Sequence, residues 1–202
     1  MSGRWGLVSA ALGALWVGTA LAAEPLLIDD FEAAGRNRLG GKGSTYTAEP
    51  SRSLALRREG EGRDGSAGLL VRYDKKNTGG PYGQGGWCGY YTLLKSGRGY
   101  LDATPYQAVV LWVKGAQGGE NFVLGLADKH WDEVGDSVKS GPIGKYLPSG
   151  GVTTEWQKAS VPLNEFSVNV NELASLAVCF EGSLFPDGSG KGGVYLDDLS
   201  LE

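Results

Sequence analysis

Residues 192–201 of the chain, Gly-Gly-Val-Tyr-Leu-Asp-Asp-Leu-Ser-Leu, join a pair of glycines to a run rich in leucine, valine and tyrosine. Such a run is typical of a β-strand, and glycines supply the positive φ angles at which a chain reverses. Paired glycines recur at residues 40–41, 79–80, 85–86, 118–119 and 150–151. Glycine makes up 34 of the 202 residues, far above the usual share of about 7%, which indicates many tight turns.

Short apolar or alternating runs predict about nine strands, and no helix of ten or more residues is required after residue 25. The predicted strands are Leu26–Phe31, Ser53–Arg57, Gly68–Tyr73, Gly89–Leu94, Gln107–Val113, Asn121–Ala127, Trp156–Leu163, Leu176–Phe180 and Val194–Leu201. This spacing favours an all-β fold of two packed antiparallel sheets, a β-sandwich or jelly roll, over βαβ units. Residues 128–154 lack a pattern, and a loop of that length is commonly functional.

The first 22 residues have the pattern of a cleaved secretory signal peptide. Arg4 gives a positive start, Trp5–Leu21 is almost uninterrupted apolar sequence, and residues 20–22, Ala-Leu-Ala, are suited to cleavage. An uncleaved membrane anchor or a buried helix is the alternative, although the run is short for a span of about 20 residues. We therefore expect one domain over residues 23–202, secreted or periplasmic, with no membrane span after cleavage.

The charge balance argues against a nucleic-acid partner. The chain has 19 Lys and Arg residues against 23 Asp and Glu residues, and its net charge is −4. Binding to phosphates requires a basic surface that releases counterions. No nucleic-acid partner is therefore expected.

Cys88 and Cys179 are the only cysteines in the sequence. An oxidising compartment would permit a disulfide between them. Two buried free thiols are equally consistent with the sequence, because it does not give the distance between the two Cα atoms. Both alternatives stay open at this point.

Aromatic residues outside the signal peptide are concentrated in a glycine-rich segment, residues 80–91, and around Trp131 in the long loop. A sugar ring has an apolar C–H face and a hydroxyl edge, so a carbohydrate site needs a flat aromatic ring with polar side chains beside it. We predict carbohydrate contacts from Trp87, Tyr90, Asp128, His130 and Trp131. Trp112, in the apolar run 108–113, is expected in the core.

The sequence lacks the usual motifs of histidine-dependent hydrolases. His130 is the sole histidine, and neither Gly-x-Ser-x-Gly nor His-Glu-x-x-His occurs. A glycosidase needs only two suitably spaced carboxylates, and the sequence does not give their separation. The prediction is a non-catalytic binding protein, with a small glycan-active enzyme as one alternative.

Carboxylates lie beside apolar strand residues in both the first and the last predicted strand. Such groups repel one another unless a cation lies among them, and Ca²⁺ takes six to eight oxygen ligands. We predict a calcium site from Asp30, Glu32 and Asp197, with Asp64 of the Arg63-Asp64-Gly65 turn as a fourth ligand. The alternative is that these are solvated charges at an exposed sheet edge.

Five segments resemble the motifs of galactose-binding-like jelly rolls. They are Leu27–Glu32, Asn37–Gly41, Val113–Glu120, Thr153–Phe166 and Val194–Asp198. Within that group the chain is most similar to family 11-like carbohydrate-binding modules. The domain of complex I intermediate-associated proteins is a relative that shares the Trp-to-Pro-Leu-to-Phe pattern of residues 156–166.

This resemblance implies a binding partner and a cofactor. The partner would be a polysaccharide or oligosaccharide such as a β-glucan, bound along a concave sheet face through tyrosines. The cofactor would be a structural Ca²⁺ that joins the first and last strands. The intermediate-associated relative implies a protein partner as the alternative. The aromatic clusters of this chain do not match a tyrosine-lined groove position by position, and function belongs to the site, not to the fold.

Overall fold

The computed structural model describes residues 23–94, 97 and 99–202, so the predicted signal peptide lies outside the described residues. Eleven strands and one α-helix, α1 (Lys129–Val134), form within that part of the chain. The strands are β1 (Leu26–Asp29), β2 (Gly43–Thr47), β3 (Arg52–Arg58), β4 (Gly68–Lys75), β5 (Cys88–Leu93), β6 (Ala108–Gly115), β7 (Val123–Asp128), β8 (Val138–Pro142), β9 (Gln157–Pro162), β10 (Leu173–Cys179) and β11 (Gly190–Leu201).

The strands form two antiparallel sheets. Sheet I has the order β3-β4-β11-β6-β9, with β1 also paired to β11, and sheet II has the order β2-β5-β10-β7-β8. Strand β11 pairs with β4 over its first residues and with β1 over its last three, Leu199–Leu201. The predicted all-β sandwich or jelly roll is confirmed, and the first and last strands are neighbours.

Side chains from both sheets fill one main core between them. Phe122 and Phe180 are almost completely buried, and Tyr73 stacks on Phe180 with 3.9 Å between the ring centroids. Strand β5 shows how the alternation divides the faces: Tyr90 belongs to this core, whereas Tyr91 packs on the other side of sheet II. This alternation determines which aromatic residues can reach a ligand on the sheet.

Two of the eleven strands, β2 and β8, were not predicted from the sequence. Their sequences, Gly-Ser-Thr-Tyr-Thr and Val-Lys-Ser-Gly-Pro, contain few aliphatic residues. Both are the outer strands of sheet II. Edge strands carry polar residues and proline because one side faces no partner strand, so the apolar pattern that marks a central strand is missing.

The stretch 128–154, predicted as an unpatterned loop, is largely ordered into short elements. It contains α1, β8 and a 3-10 turn at Ile143–Tyr146 whose first side chain, Ile143, is fully buried. The α1 helix has only six residues, consistent with the expectation that no helix of ten or more forms. None of the helices in the described part of the chain has the length and apolar character of a membrane span.

The two cysteines are free and buried. Cys179 is paired with Gly89 across β10 and β5, so Cys88 lies one residue out of register. Because neighbouring residues of a strand point to opposite faces, Cys88 joins the main core and Cys179 the outer face of sheet II. Of the two alternatives, the structure shows free thiols, and the disulfide does not form.

The expectation that Trp112 lies in the core is wrong. Its neighbours Leu111 and Val113 are in the main core, and Trp112 is on the outer face of sheet I, half-buried. The guanidinium of Arg63 lies 4.8 Å from the Trp112 ring centroid. The run 108–113 does not alternate between apolar and polar residues, because Val110, on the same outer side as Trp112, is also apolar and buried.

Candidate functional site

The outer face of sheet II carries an apolar cluster that is separate from the main core. Its buried members, each 8% exposed or less, are Val123, Ala177 and Cys179. The partly exposed side chains that pack over them are Tyr46, Tyr91 and Leu184. Aromatic rings that cover such small residues present a flat apolar surface to solvent.

The strand register arranges this face in rows. One row, across all five strands, consists of Ser44, Tyr91, Ala177, Gly125 and Lys139. The row two residues along consists of Tyr46, Gly89, Cys179 and Val123. Rows on one face are about 6.6 Å apart along a strand. Tyr46 and Tyr91 therefore lie on adjacent strands in adjacent rows.

Gly89 leaves space for the Tyr46 ring to lie across β5. A Cβ at residue 89 would overlap the hydroxyl end of Tyr46. The Tyr46 hydroxyl lies near the Cys179 thiol, and burial raises the pKa of Tyr46 far above its usual range. The ring is thus held against the sheet with its hydroxyl protonated.

Trp87 extends this aromatic surface past the start of β5. It is 44% exposed, and its carbonyl accepts a 2.8 Å hydrogen bond from the Ala48 amide of the chain after β2. Tyr82 is 80% exposed, and its ring centroid lies 6.2 Å from that of Trp87. Trp87 is two residues before Gly89, so it continues the outward-facing alternation of Tyr91.

Polar groups occupy the β8 edge of the same face. The Lys139 Nζ donates to Asp136 Oδ1 at 2.8 Å and to the Ser137 hydroxyl at 2.8 Å. Burial opposes ionisation of Asp136, but the hydrogen bonds from Lys139 and the Ser137 amide outweigh it and lower the pKa of Asp136. The Lys139 ammonium also donates to the Ser137 carbonyl at 2.9 Å, so its three N–H donors are used within the edge. The exposed Asp136 carboxylate is the polar group that this edge presents beside the aromatic surface.

The outer face of sheet I also carries aromatic rings, but cations cover them. Arg63 lies over Trp112, and the Lys114 Nζ lies 4.9 Å from the Trp156 ring and 4.6 Å from the Tyr195 ring. In the described chain no comparable cation covers an aromatic ring on the outer face of sheet II. Sheet II is therefore the face whose rings are open for stacking.

Of the predicted carbohydrate contacts, Trp87 lies on this face and Tyr90 does not. Tyr90 is 6% exposed and points between the sheets, where its hydroxyl lies against Gly43. Burial raises the pKa of Tyr90 above 10 as well. Tyr91, the next residue, takes the outward position on sheet II.

The other three predicted contacts lie around α1. Asp128 is 7% exposed and caps this helix: it accepts the Trp131 amide at 3.1 Å and the Asn169 amide at 2.7 Å. Burial opposes its ionisation, and these backbone hydrogen bonds outweigh it and lower the pKa of Asp128. His130 is exposed, and its ring centroid lies 5.4 Å from that of the half-buried Trp131. Both Asp128 oxygens thus serve the fold.

The structure does not bring the five predicted contacts together. Along β10, Cys179 lies beside Gly89 and Leu173 lies beside Asp128. Six residues separate these positions, about 20 Å at the rise of a strand. Trp87 and the α1 residues thus lie at opposite ends of sheet II.

The sequence analysis missed Tyr46 and Lys139 on the aromatic face. Tyr46 lies in the unpredicted strand β2, and Lys139 in the unpredicted strand β8. The period-two spacing of Trp87, Gly89 and Tyr91 was the available signal for the correct face of β5.

The predicted calcium ligands are each engaged by donors of the protein. Asp30 forms an ion pair with Arg38, with Oδ2 2.5 Å from Nη2. The hydrogen bonds from Arg38 outweigh the opposing effect of burial and lower the pKa of Asp30. Glu32 accepts the Ala67 amide at 2.7 Å.

Of the other two carboxylates, Asp64 lies in the turn at residues 62–66 and Asp197 of β11 accepts hydrogen bonds from that turn. Asp197 is 2% exposed and accepts the Arg63 amide at 2.7 Å and the Ser66 hydroxyl at 3.0 Å. The Asp64 side chain is 81% exposed and pairs with Arg63. In the part of the chain that the structure describes, no three carboxylate, histidine or cysteine side chains converge as metal ligands. The donor set as it stands does not fit a calcium ion.

Comparison with known proteins gives a family for most of the chain. A family model described as "Carbohydrate binding domain 30" matches residues 41–201. No curated protein matches the chain.

Solved structures of carbohydrate-binding modules share the fold. The family 11 module of a cellulosomal cellulase of Clostridium thermocellum is 16% identical, with a TM-score of 0.64 over 89% of this chain and 95% of that one. The family 30 module of another cellulosomal cellulase of that organism is 18% identical, with a TM-score of 0.60 over 89% and 92%. A family 11 module of the same organism, in complex with a β-1,3-1,4-mixed-linked tetrasaccharide, is 14% identical, with a TM-score of 0.62 over 88% and 94%.

Proposed function

The chain belongs to the carbohydrate-binding domain 30 family, and from this premise we propose that it holds a glycan on the outer face of sheet II without chemical conversion. The observation that supports this face is the set of uncovered rings, Tyr46, Tyr91 and Trp87, over a floor of small residues. The C–H face of a sugar would stack on these rings, and its hydroxyls would reach the polar β8 edge.

The glycan that we propose is a β-glucan. A family 11 module of the same fold has been solved with a mixed-linked β-glucan tetrasaccharide. A long, open sheet face with rings in successive rows suits an extended chain better than a single sugar. Asp136 at the edge would accept hydrogen bonds from ring hydroxyls, and these would be stronger than neutral pairs because the carboxylate is charged.

Export through the segment 1–22 is part of the proposal and is supported by the sequence pattern alone. A protein recovered from the medium or periplasm should begin near residue 23 when its N-terminus is sequenced. If the protein is membrane-bound and its N-terminus is intact, the segment 1–22 is an uncleaved membrane anchor and not a cleaved signal peptide.

The structural calcium implied by the resemblance is a separate prediction, and the hydrogen-bonded carboxylates described above do not support it. A bound ion stabilises the folded state by mass action. A higher melting temperature in excess calcium than in EDTA would establish the ion, and equal values would assign Asp30, Glu32, Asp64 and Asp197 to their protein partners.

The test of the binding face compares two tryptophans on opposite sheets. Trp87→Ala should weaken binding to soluble mixed-linkage β-glucan by about 5- to 150-fold, the range for loss of one stacking ring at about 1–3 kcal/mol. Trp156→Ala, on the outer face of sheet I, is the matched control and should bind like the unmodified chain. Calorimetry gives the affinities, and equal affinities for the two variants would contradict the assignment of the outer face of sheet II as the binding face.

The mixtures of the chain with β-glucan should also be assayed for new reducing ends. Binding without reducing ends agrees with a non-catalytic module. New reducing ends would identify a glycan-active enzyme. Absence of binding to every glycan tested, with a pull-down from periplasmic extract that recovers one protein, would favour the protein-partner alternative.

A further inference from the structure

A cavity of about 330 Å³ opens at the edge of the sandwich, between β2 and β3, the edge strands of the two sheets. Phe31, Leu69 and Tyr90 line its interior, each less than 10% exposed. The loop at residues 33–37 forms one wall, and Leu54, which is 51% exposed, lies at the rim. Its volume is within the range of small-molecule sites.

This cavity is distinct from the aromatic face of sheet II. Tyr90 enters it from the inward side of β5, whereas Tyr91 is on the outward side of the same strand. A ligand in the cavity would therefore contact neither Trp87 nor Tyr91.

Asp29 places a buried carboxylate in the cavity wall. The residue is 7% exposed, and its Oδ1 accepts the Phe31 amide at 2.9 Å. Its Oδ2 has no hydrogen-bond partner among the residues that the structure describes. Asp29 Oδ2 is not one of the fully buried atoms of the described chain that lack a partner, so it is an acceptor that a hydrogen-bond donor in the cavity can reach.

The basic residues at the cavity are already engaged. Arg57 donates from Nε to the Phe31 carbonyl, from Nη2 to the Glu32 carbonyl and from Nη1 to Glu59. Arg36 donates from Nη1 to the Gly40 carbonyl. The Asp29 carboxylate opposes an anionic ligand, and the two arginines, of which only Arg57 has a carboxylate partner in the described chain, oppose a cationic one.

We propose that this edge cavity binds a single neutral sugar ring or a polyol of similar size. The apolar side chains at Phe31 and Leu69 would cover the C–H face, Asp29 Oδ2 would accept from ligand hydroxyls, and the Tyr90 hydroxyl would be a second polar contact. This inference goes beyond the proposed function, because it does not require the outer face of sheet II to bind anything. The ring is either a free monosaccharide or the end of a glycan chain.

The experiment is an amide chemical-shift titration of the chain with D-glucose, D-galactose, D-mannose and xylitol, and with a mixed-linked β-glucan tetrasaccharide. We expect saturable shifts, at millimolar concentrations, at Gly35, Asn37 and Thr45, which line the cavity, with at least one small neutral ligand. Shifts at the same amides with the tetrasaccharide would identify the chain end as the source of the ring. Glucuronate and glucosamine should give weaker binding than the neutral ligands.

Two variants test the contacts. Asp29→Asn retains an oxygen for the Phe31 amide and replaces the free acceptor with a donor, and it should weaken binding at least fivefold. Tyr90→Phe removes only the hydroxyl, keeps the ring in the core, and should also weaken binding. Trp87→Ala should leave the shifts of the cavity amides with the monosaccharides and xylitol unchanged, so failure of the cavity and failure of the sheet face are distinguishable. The absence of saturable shifts at the cavity amides, or equal binding by the unmodified chain and both variants, would overturn the proposal.

Discussion

The Asp29 carboxyl makes the stability of the fold depend on pH. Burial raises its pKa to about 6, the Phe31 amide lowers it, and the charges of Asp30 and Asp197 raise it further. The native state then binds more protons than the unfolded state between about pH 4 and pH 6, so stability falls as pH rises through that window. Above it, ionised Asp29 destabilises the fold by about 3 kcal/mol.

Replacement of Asp29 by asparagine should remove this penalty. We expect Asp29→Asn to raise the melting temperature by several degrees at pH 7.5 and to leave it unchanged at pH 4, where the native carboxyl is already neutral. Thermal unfolding followed by circular dichroism across this range is the measurement. A gain of equal size at both pH values would show that ionisation of Asp29 is not the cause.

Tyr90 and Tyr91 should separate stability from binding although they are adjacent. Tyr90→Ala empties a core position and should cost about 3–5 kcal/mol of unfolding free energy, by analogy with other aromatic core truncations. Tyr91→Ala should cost far less stability and weaken β-glucan binding by about 5- to 150-fold. Denaturant unfolding and calorimetry on both variants give the two quantities. A loss of binding with Tyr90→Ala and a loss of stability with Tyr91→Ala would mean that the glycan contacts the opposite face of β5.

Among the elements, the glycine-rich segment 76–87 depends on two polar anchors. Lys75 is 5% exposed and donates to the Lys76 carbonyl at 2.7 Å and to the Gln84 carbonyl at 2.9 Å. The Ser51 hydroxyl donates to the Gly85 carbonyl and accepts the Lys76 amide. These bonds hold the segment that carries Trp87.

Lys75→Met should therefore loosen this segment. Loss of the ammonium leaves two carbonyls without their donor, at a cost of about 1–3 kcal/mol. We expect a lower melting temperature and faster amide exchange over residues 76–86. Lys76→Met is the control, because the Lys76 side chain is 45% exposed and its ion pair with Asp74 is at the surface. Equal exchange in the two variants would contradict the anchoring role of Lys75.

The predicted elements show where sequence patterns are informative. Central strands such as β10 were found because both of their faces are apolar, whereas the edge strands β2 and β8 carry polar residues and were missed. The α1 helix has a readable cap, Asp128, and a left-handed glycine at its end, Gly135. Its six residues are too few for a helical apolar period, so the sequence analysis did not recognise Asp128 as a helix cap.

At the scale of the whole molecule, the fold was predictable from the sequence and the proposed binding face was not. The fold follows from the number of strands, their glycine turns and the pairing of the first and last strands. The binding face depends on register: Tyr46 and Tyr91 are 45 positions apart in the sequence and become neighbours only through the pairing of β2 with β5. Because β2 was not recognised as a strand, its pairing with β5 could not be predicted from the sequence.

The net charge of −4 and the aromatic character of the proposed face lead to a prediction for the whole molecule, a weak dependence of binding on salt. A neutral glucan has no condensed counterions to release, and stacking with charge-assisted hydrogen bonds acts at contact distance. We expect affinity for mixed-linkage β-glucan to change less than about twofold between 50 and 500 mM NaCl. The control is an anionic polysaccharide such as polygalacturonate, for which the negative chain should show little affinity at any salt concentration. A steep loss of β-glucan binding with salt would mean that charges, and not the rings of Tyr46, Tyr91 and Trp87, provide most of the binding energy.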